Sequence, residues 1–176
     1  MKQHPTPARR LRHTFCGLGL ALAATLSPAQ VGLQQLDLGG LPVTLVYPSA
    51  EPVQLQRLGG SFELHVALNA VPSPGVRRLV VMSHGSGGSP LPDHALAATL
   101  ARAGFVVAQP QHAGDNHADL SRAGPDSWQT RPQEVRQLLD RLAAHPDWQG
   151  RLKLDRVGVH GMSAGGATAL SLAGGR

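Results

Sequence analysis

Hydrophobic and polar positions fall into two patterns along the chain. Arg78–Ser83, Phe105–Pro110 and Arg156–His160 are short and almost continuously apolar, as strands buried on both faces of a parallel sheet are. Leu41–Pro48 and Ser61–Leu68 instead alternate, which predicts half-covered strands; the second puts Glu63 and His65 on its polar face. Helical spacing appears between them. Asp93–Arg102 carries Leu96, Ala97, Leu100 and Ala101 on one face and stops at Gly104. Thr130 is placed to cap a second helix, with Pro132 in its first turn and Val135, Leu138, Leu139 and Leu142 as its apolar stripe. Ala167–Ala173 reads as a third, built from small residues.

This order predicts an α/β fold, a mostly parallel sheet flanked by helices with two antiparallel strands leading in. Residues 30–176 form the expected domain. Residues 1–29 read differently: Lys2, Arg9, Arg10 and Arg12 precede an apolar run, Phe15–Leu26, and Ser27-Pro-Ala29 supplies small residues for cleavage. That is the pattern of a secretory signal peptide, and the run is too short for a stable membrane anchor. Export to the periplasm or the extracellular space is the expectation. The lone Cys16 would leave with the leader, so no disulfide is expected.

The leader also changes the charge. The whole chain carries a formal +5, but four of its sixteen basic residues and none of its eleven acidic ones precede residue 30, leaving 12 − 11 = +1. A near-neutral domain argues against nucleic acid as a partner.

The chemistry centres on Ser163. Gly161-Met-Ser-Ala-Gly165 joins the third apolar run to the small-residue helix, and a G-x-S-x-G between strand and helix is the context in which that pattern has catalytic meaning. Glycines two residues either side let the backbone turn sharply, and the Ala164 N–H at the helix start could face an oxyanion. A dinucleotide-binding turn fits less well, because Gly158, Gly161 and Gly165 miss the G-x-G-x-x-G spacing. A second turn, His84-Gly85-Ser86-Gly87-Gly88, follows Ser83 and could bring the Ser86 N–H to the same oxyanion. Gln111–Gln129 reads as a long polar loop; its His112, Asp115 and His117 suit a hydrogen-bond network better than a metal shell. Arg131 reads as an anchor between loop and helix.

Together, Tyr47-Pro48, Val81–Gly88, Gly104–Val107, His112–Asn116, Arg131-Pro132 and Asp155–Gly166 resemble the α/β-hydrolase superfamily. They are most similar to exported dienelactone-hydrolase-like and platelet-activating-factor-acetylhydrolase-like serine esterases. The resemblance spans about residues 40–176. It implies Ser163 as nucleophile, Ser86 and Ala164 as oxyanion donors through their N–H groups, and His84, Gly85, Gly161 and Gly165 as motif structure. It further implies a small-molecule or lipid ester or lactone substrate, with no metal or organic cofactor. Met162 stands where such families often carry His. The superfamily's acid and base follow the nucleophile, yet residues 164–176 hold no Asp, Glu or His. The sequence therefore reads as the N-terminal part of the fold, its later strands and triad partners absent and the fragment inactive. The alternative is a non-catalytic binding protein on the same fold. His84 and His160 are the upstream histidines that could substitute as base, but turn support suits them better.

Overall fold

The computed structural model describes residues 30–175. The expected signal peptide and Cys16 lie outside them. The strands are β1 (Gln30–Asp37), β2 (Pro42–Ser49), β3 (Gln54–Leu58), β4 (Phe62–Leu68), β5 (Arg77–Ser83), β6 (Val106–Pro110) and β7 (Leu152–Gly161). The helices are α1 (His94–Arg102), α2 (Pro125–Ala144) and α3 (Ala164–Leu172).

The sheet order is β3-β4-β1-β2-β6-β5-β7. Both β6 and β7 run parallel to β5, one on each side of it. Consecutive right-handed crossovers in opposite directions put their helices on opposite faces. So α1 packs Ala97, Ala98 and Ala101 against Val46, Met82 and Val107 on one face. On the other, Val135, Leu138 and Leu142 of α2 pack with Leu79, Val81, Val106 and Ala108. The strand order reverses at β5, and the crevice beyond the C-terminal ends of such strands is where open α/β sheets take ligands.

Four strands precede β5, where the sequence predicted two. In β1, Gly32 and the paired Gln34-Gln35 blur the period of two, although Val31 and Leu33 are buried. The pattern missed β3 because it is an exposed edge strand whose partner is β4. Antiparallel pairs join β1 to β2 and β2 to β6, while β1 and β4 run parallel.

In α1 the buried face is shifted: Ala98 is covered, and the expected core residue Leu96 is 41% exposed. Helix α2 begins earlier than its sequence stripe. Gly124 stands at its N-cap with Pro125 behind it, so Thr130 is no cap; its hydroxyl donates to the Asp126 carbonyl, one turn back. Pro132 consequently lies inside the helix and is buried. The elbow strand is the other departure. Expected as buried, β7 is half exposed and forms the edge of the described sheet.

Candidate active site

Ser163 joins β7 to α3 and is one of two non-glycine residues with positive φ among those described, at φ 53° and ψ −119°. A side chain held there costs on the order of 1–3 kcal/mol, so the surroundings must enforce it. They do so by close backbone approach. A β-carbon at Gly161 would overlap the Gly165 carbonyl, and one at Gly165 would overlap the Ser83 carbonyl. Without side chains at both positions the turn seats on the end of β5, where the Met162 N–H meets the Ser83 carbonyl at 3.4 Å. The Ser163 side chain is thereby left exposed.

The second turn lies against the first: a β-carbon at Gly85 would sit 3.6 Å from Ser163 Cβ. The Ser86 and Ala164 N–H groups have no hydrogen-bond partner among the described residues. An exposed hydroxyl beside two free N–H donors can add to a carbonyl and stabilise the resulting oxyanion.

Beneath this surface lies a buried polar layer. Arg131 is 1% exposed; its Nη1 donates to the His84 carbonyl at 2.6 Å, and its Nη2 to Asp115 Oδ2 at 2.8 Å, the Asp115 carbonyl at 3.1 Å and the Gly85 carbonyl at 3.3 Å. Asp115 Oδ1 accepts the Ser86 hydroxyl at 2.6 Å and the Gly87 N–H at 3.0 Å. Burial pushes the Asp115 pKa up. The Ser86 hydroxyl, the Gly87 N–H and Arg131 outweigh it, with the Ser127 hydroxyl near by though its proton is given to the Gly124 carbonyl, and bring the pKa to about 2. Asp115 is therefore an anion, matched by Arg131.

His84 Nε2 accepts the His112 N–H at 3.3 Å, which fixes the proton on Nδ1; that nitrogen donates to the Gly85 carbonyl at 2.7 Å. Burial is the main cause that lowers the His84 pKa to about 4, against the opposing Gly85 hydrogen bond. With both ring nitrogens engaged, His84 supports its turn and has no free position to act as base.

His112 is fully buried. Its Nδ1 donates to Glu134 Oε2 at 2.6 Å, and its Nε2 accepts the Ser83 hydroxyl at 2.8 Å. Serine, histidine and carboxylate stand in the hydrogen-bond order of an acyl-transfer triad. Ser83 is only 2% exposed, however, so this arrangement is closed to a substrate. Burial lowers the His112 pKa, with the Glu134 hydrogen bond opposing.

The structure thus brings together Ser163, Ala164, Gly161, Gly165, Ser86, Gly85 and His84. It does not bring in His160, which is exposed on β7, or His117, which is exposed while His112 and Asp115 point inward. Among the described residues no cluster of side chains suits a metal ion. Sequence reasoning missed Ser83 and Glu134. The one signal for Glu134 was its place three residues after Arg131, beside the apolar stripe of α2.

No family model and no curated protein matches the chain. Solved structures do. A ferulic acid esterase from Streptomyces cinnamoneus matches with a TM-score of 0.69 and 28% identity over 86% of this chain and 57% of that one. A dienelactone hydrolase from Anabaena variabilis matches with a TM-score of 0.52 and 23% identity over 84% of this chain and 58% of that one. The chain accordingly spans a little over half the length of these two proteins. The mixed seven-stranded sheet, the helices on both faces and these likenesses agree: the chain has the α/β-hydrolase fold, over a little more than half the length of these neighbours.

Proposed function

We propose that this chain belongs to a serine ester hydrolase that works through an acyl-enzyme on Ser163. The observation that carries the reading is the exposed Ser163 at φ 53°, packed against the Gly85 turn, with the N–H groups of the neighbouring Ser86 and Ala164 left without partners among the described residues. In this mechanism the Ser163 hydroxyl adds to an ester carbonyl as a general base takes its proton. The two N–H groups hold the oxyanion, the alcohol leaves, and water then releases the acid. The base and its orienting acid are not among residues 164–176, and His84 and His112 are committed elsewhere. We place both in chain beyond residue 176, in the order Ser, acid, His that this fold uses.

The likeness to a ferulic acid esterase and a dienelactone hydrolase supports a small-molecule ester or lactone as substrate. Residues 1–29 act as an export leader in this reading. Among the described residues no helix is long and apolar enough to cross a membrane. Mass spectrometry of the exported protein should find an N-terminus near Gln30; an intact Met1 would count against the leader.

A fluorophosphonate probe tests the nucleophile. The full chain as its gene encodes it should be labelled on Ser163, and Ser163→Ala should abolish labelling. Labelling that survives the substitution removes Ser163 from the role; a folded wild type that never labels favours a non-catalytic binding protein on this fold.

A further inference from the structure

We propose that Arg131 and His84 are positioning residues for the oxyanion site, holding the Gly85–Ser86 peptide plane so that the Ser86 N–H faces Ser163. The inference rests on the reading of Ser163 as nucleophile and adds side chains that touch no substrate. A trans peptide is planar, and its C=O and N–H point in opposite directions. Whatever fixes the Gly85 carbonyl therefore fixes the Ser86 N–H. Three donors converge on that carbonyl from the protein interior: His84 Nδ1 at 2.7 Å, the Gly88 N–H at 3.0 Å and Arg131 Nη2 at 3.3 Å.

A carbonyl oxygen has two lone pairs, so three donors saturate it. Turning the peptide over would leave the His84 Nδ1–H and the Gly88 N–H without their acceptor, take from Arg131 Nη2 one of its three, and point the Ser86 N–H at a guanidinium and two other donors. Arg131 also grips the preceding carbonyl, that of His84, so two successive peptide units are held from one guanidinium. Its Nε–H has no partner among the described residues, so the anchoring they show comes from the terminal fork. Asp115 completes the device. It neutralises Arg131 and draws the Ser86 hydroxyl and the Gly87 N–H inward, so the backbone N–H is the donor that Ser86 has left for a substrate.

A lysine at 131 keeps the charge beside Asp115 but cannot present a planar fork to two carbonyls. In the full chain, Arg131→Lys should lower kcat for p-nitrophenyl acetate about 100-fold, the scale of losing one oxyanion donor, with KM little changed. Affinity for phenylboronic acid, whose tetrahedral adduct places an oxygen in the same site, should fall in parallel. A residue that served only to hold the fold together would lower the melting temperature and leave kcat and boronate affinity near wild type at 20 °C below melting. That result overturns the proposal.

If Arg131→Lys does not fold, the exposed Ser86→Ala substitution takes its place. It keeps the N–H and removes one of the two groups by which Asp115 holds the turn, so kcat should fall about 10-fold at constant KM. An unchanged kcat overturns the proposal. Ser163→Ala is the control for the parent reading. If it retains wild-type turnover, the nucleophile assignment fails and this inference fails with it; if it is inactive, the Arg131→Lys result judges the positioning role alone.

Discussion

The two glycine turns that meet at Ser163 are held in opposite ways. The turn after β5 is anchored by side chains: His84, Arg131 and Asp115 satisfy its carbonyls and N–H groups from a layer almost closed to solvent. The turn after β7 is held chiefly by backbone, its one side-chain hydrogen bond being from the Thr168 hydroxyl to the Ala164 carbonyl at 3.0 Å. Gly161 and Gly165 permit contacts no side chain would allow, and the Ser163 carbonyl accepts the N–H groups of Gly166 and Ala167 at 2.8 and 3.2 Å as α3 begins. Peptide planarity then turns the Ala164 N–H outward without help from a side chain. One donor is aimed by buried charge and the other by close packing and a helix start, so they should respond to different perturbations.

The largest effect is expected where the packing is tightest. Gly165→Ala drives a β-carbon into the Ser83 carbonyl, and backbone on both sides cannot yield cheaply. We expect a loss of about 5 kcal/mol or more in urea unfolding, among the severest that single substitutions cause. A loss below about 1 kcal/mol would mean that the elbow can move away from β5.

Arg131→Met should cost about 4 kcal/mol, because it leaves the Asp115 carboxylate buried without its cation. Replacing both partners, Asp115→Leu with Arg131→Met, should recover much of that loss in a double-mutant cycle. No recovery would show that the hydrogen bonds to the turn, rather than the ion pair, dominate.

Acid separates the turns next. The His84 pKa is lowered from 6.5 to about 4, so the unfolded chain takes up the proton first. This contribution to stability is complete above pH 6.5 and is lost as the pH falls toward 4, at up to about 1.4 kcal/mol per unit for one proton. Asp115, lowered from 3.8 to about 2, adds a second loss below pH 3.8. Protection factors, the intrinsic over the observed amide exchange rate, should fall at Gly87 and Gly88 between pH 6.5 and 4, ahead of Gly165 and Gly166. A parallel fall at all four would erase the distinction.

The smallest effect is a gain. Ser163→Gly removes a side chain from φ 53°. It should stabilise the fold by about 1 kcal/mol, strain relief partly offset by the greater freedom of glycine in the unfolded chain. Fluorophosphonate labelling should disappear in the same variant. A neutral or negative change would indicate that the elbow holds little strain.

Much of this site was legible in the chain because its signals are local. Glycine spacing around Ser163 encodes a backbone conformation, and a continuous apolar run followed by a glycine turn marks the end of a parallel strand. Those features placed Ser163, Ser86 and Ala164 in order before any contact was known. They also gave the polar loop at His112 and Asp115 its character as a hydrogen-bond network, since short-range polarity without a complete ligand set is itself a sequence property. The edge strand β3, the Gln-rich β1 and the early start of α2 escaped because their stability comes from partners: β4, β2 and the buried layer below the turns.

Tertiary structure alone decided how the charges pair. Arg131 lies 46 and 47 positions from Gly85 and His84 and 16 from Asp115, and nothing in local spacing selects those partners. The same holds for Ser83, His112 and Glu134, whose residue types suggest a triad and whose burial closes it. Backbone conformation is written residue by residue, so the sequence by itself determined the two turns. The pairing of buried donors and acceptors follows from the requirement that each find a partner away from water, which is settled only when α2 and the His112 loop close over β5.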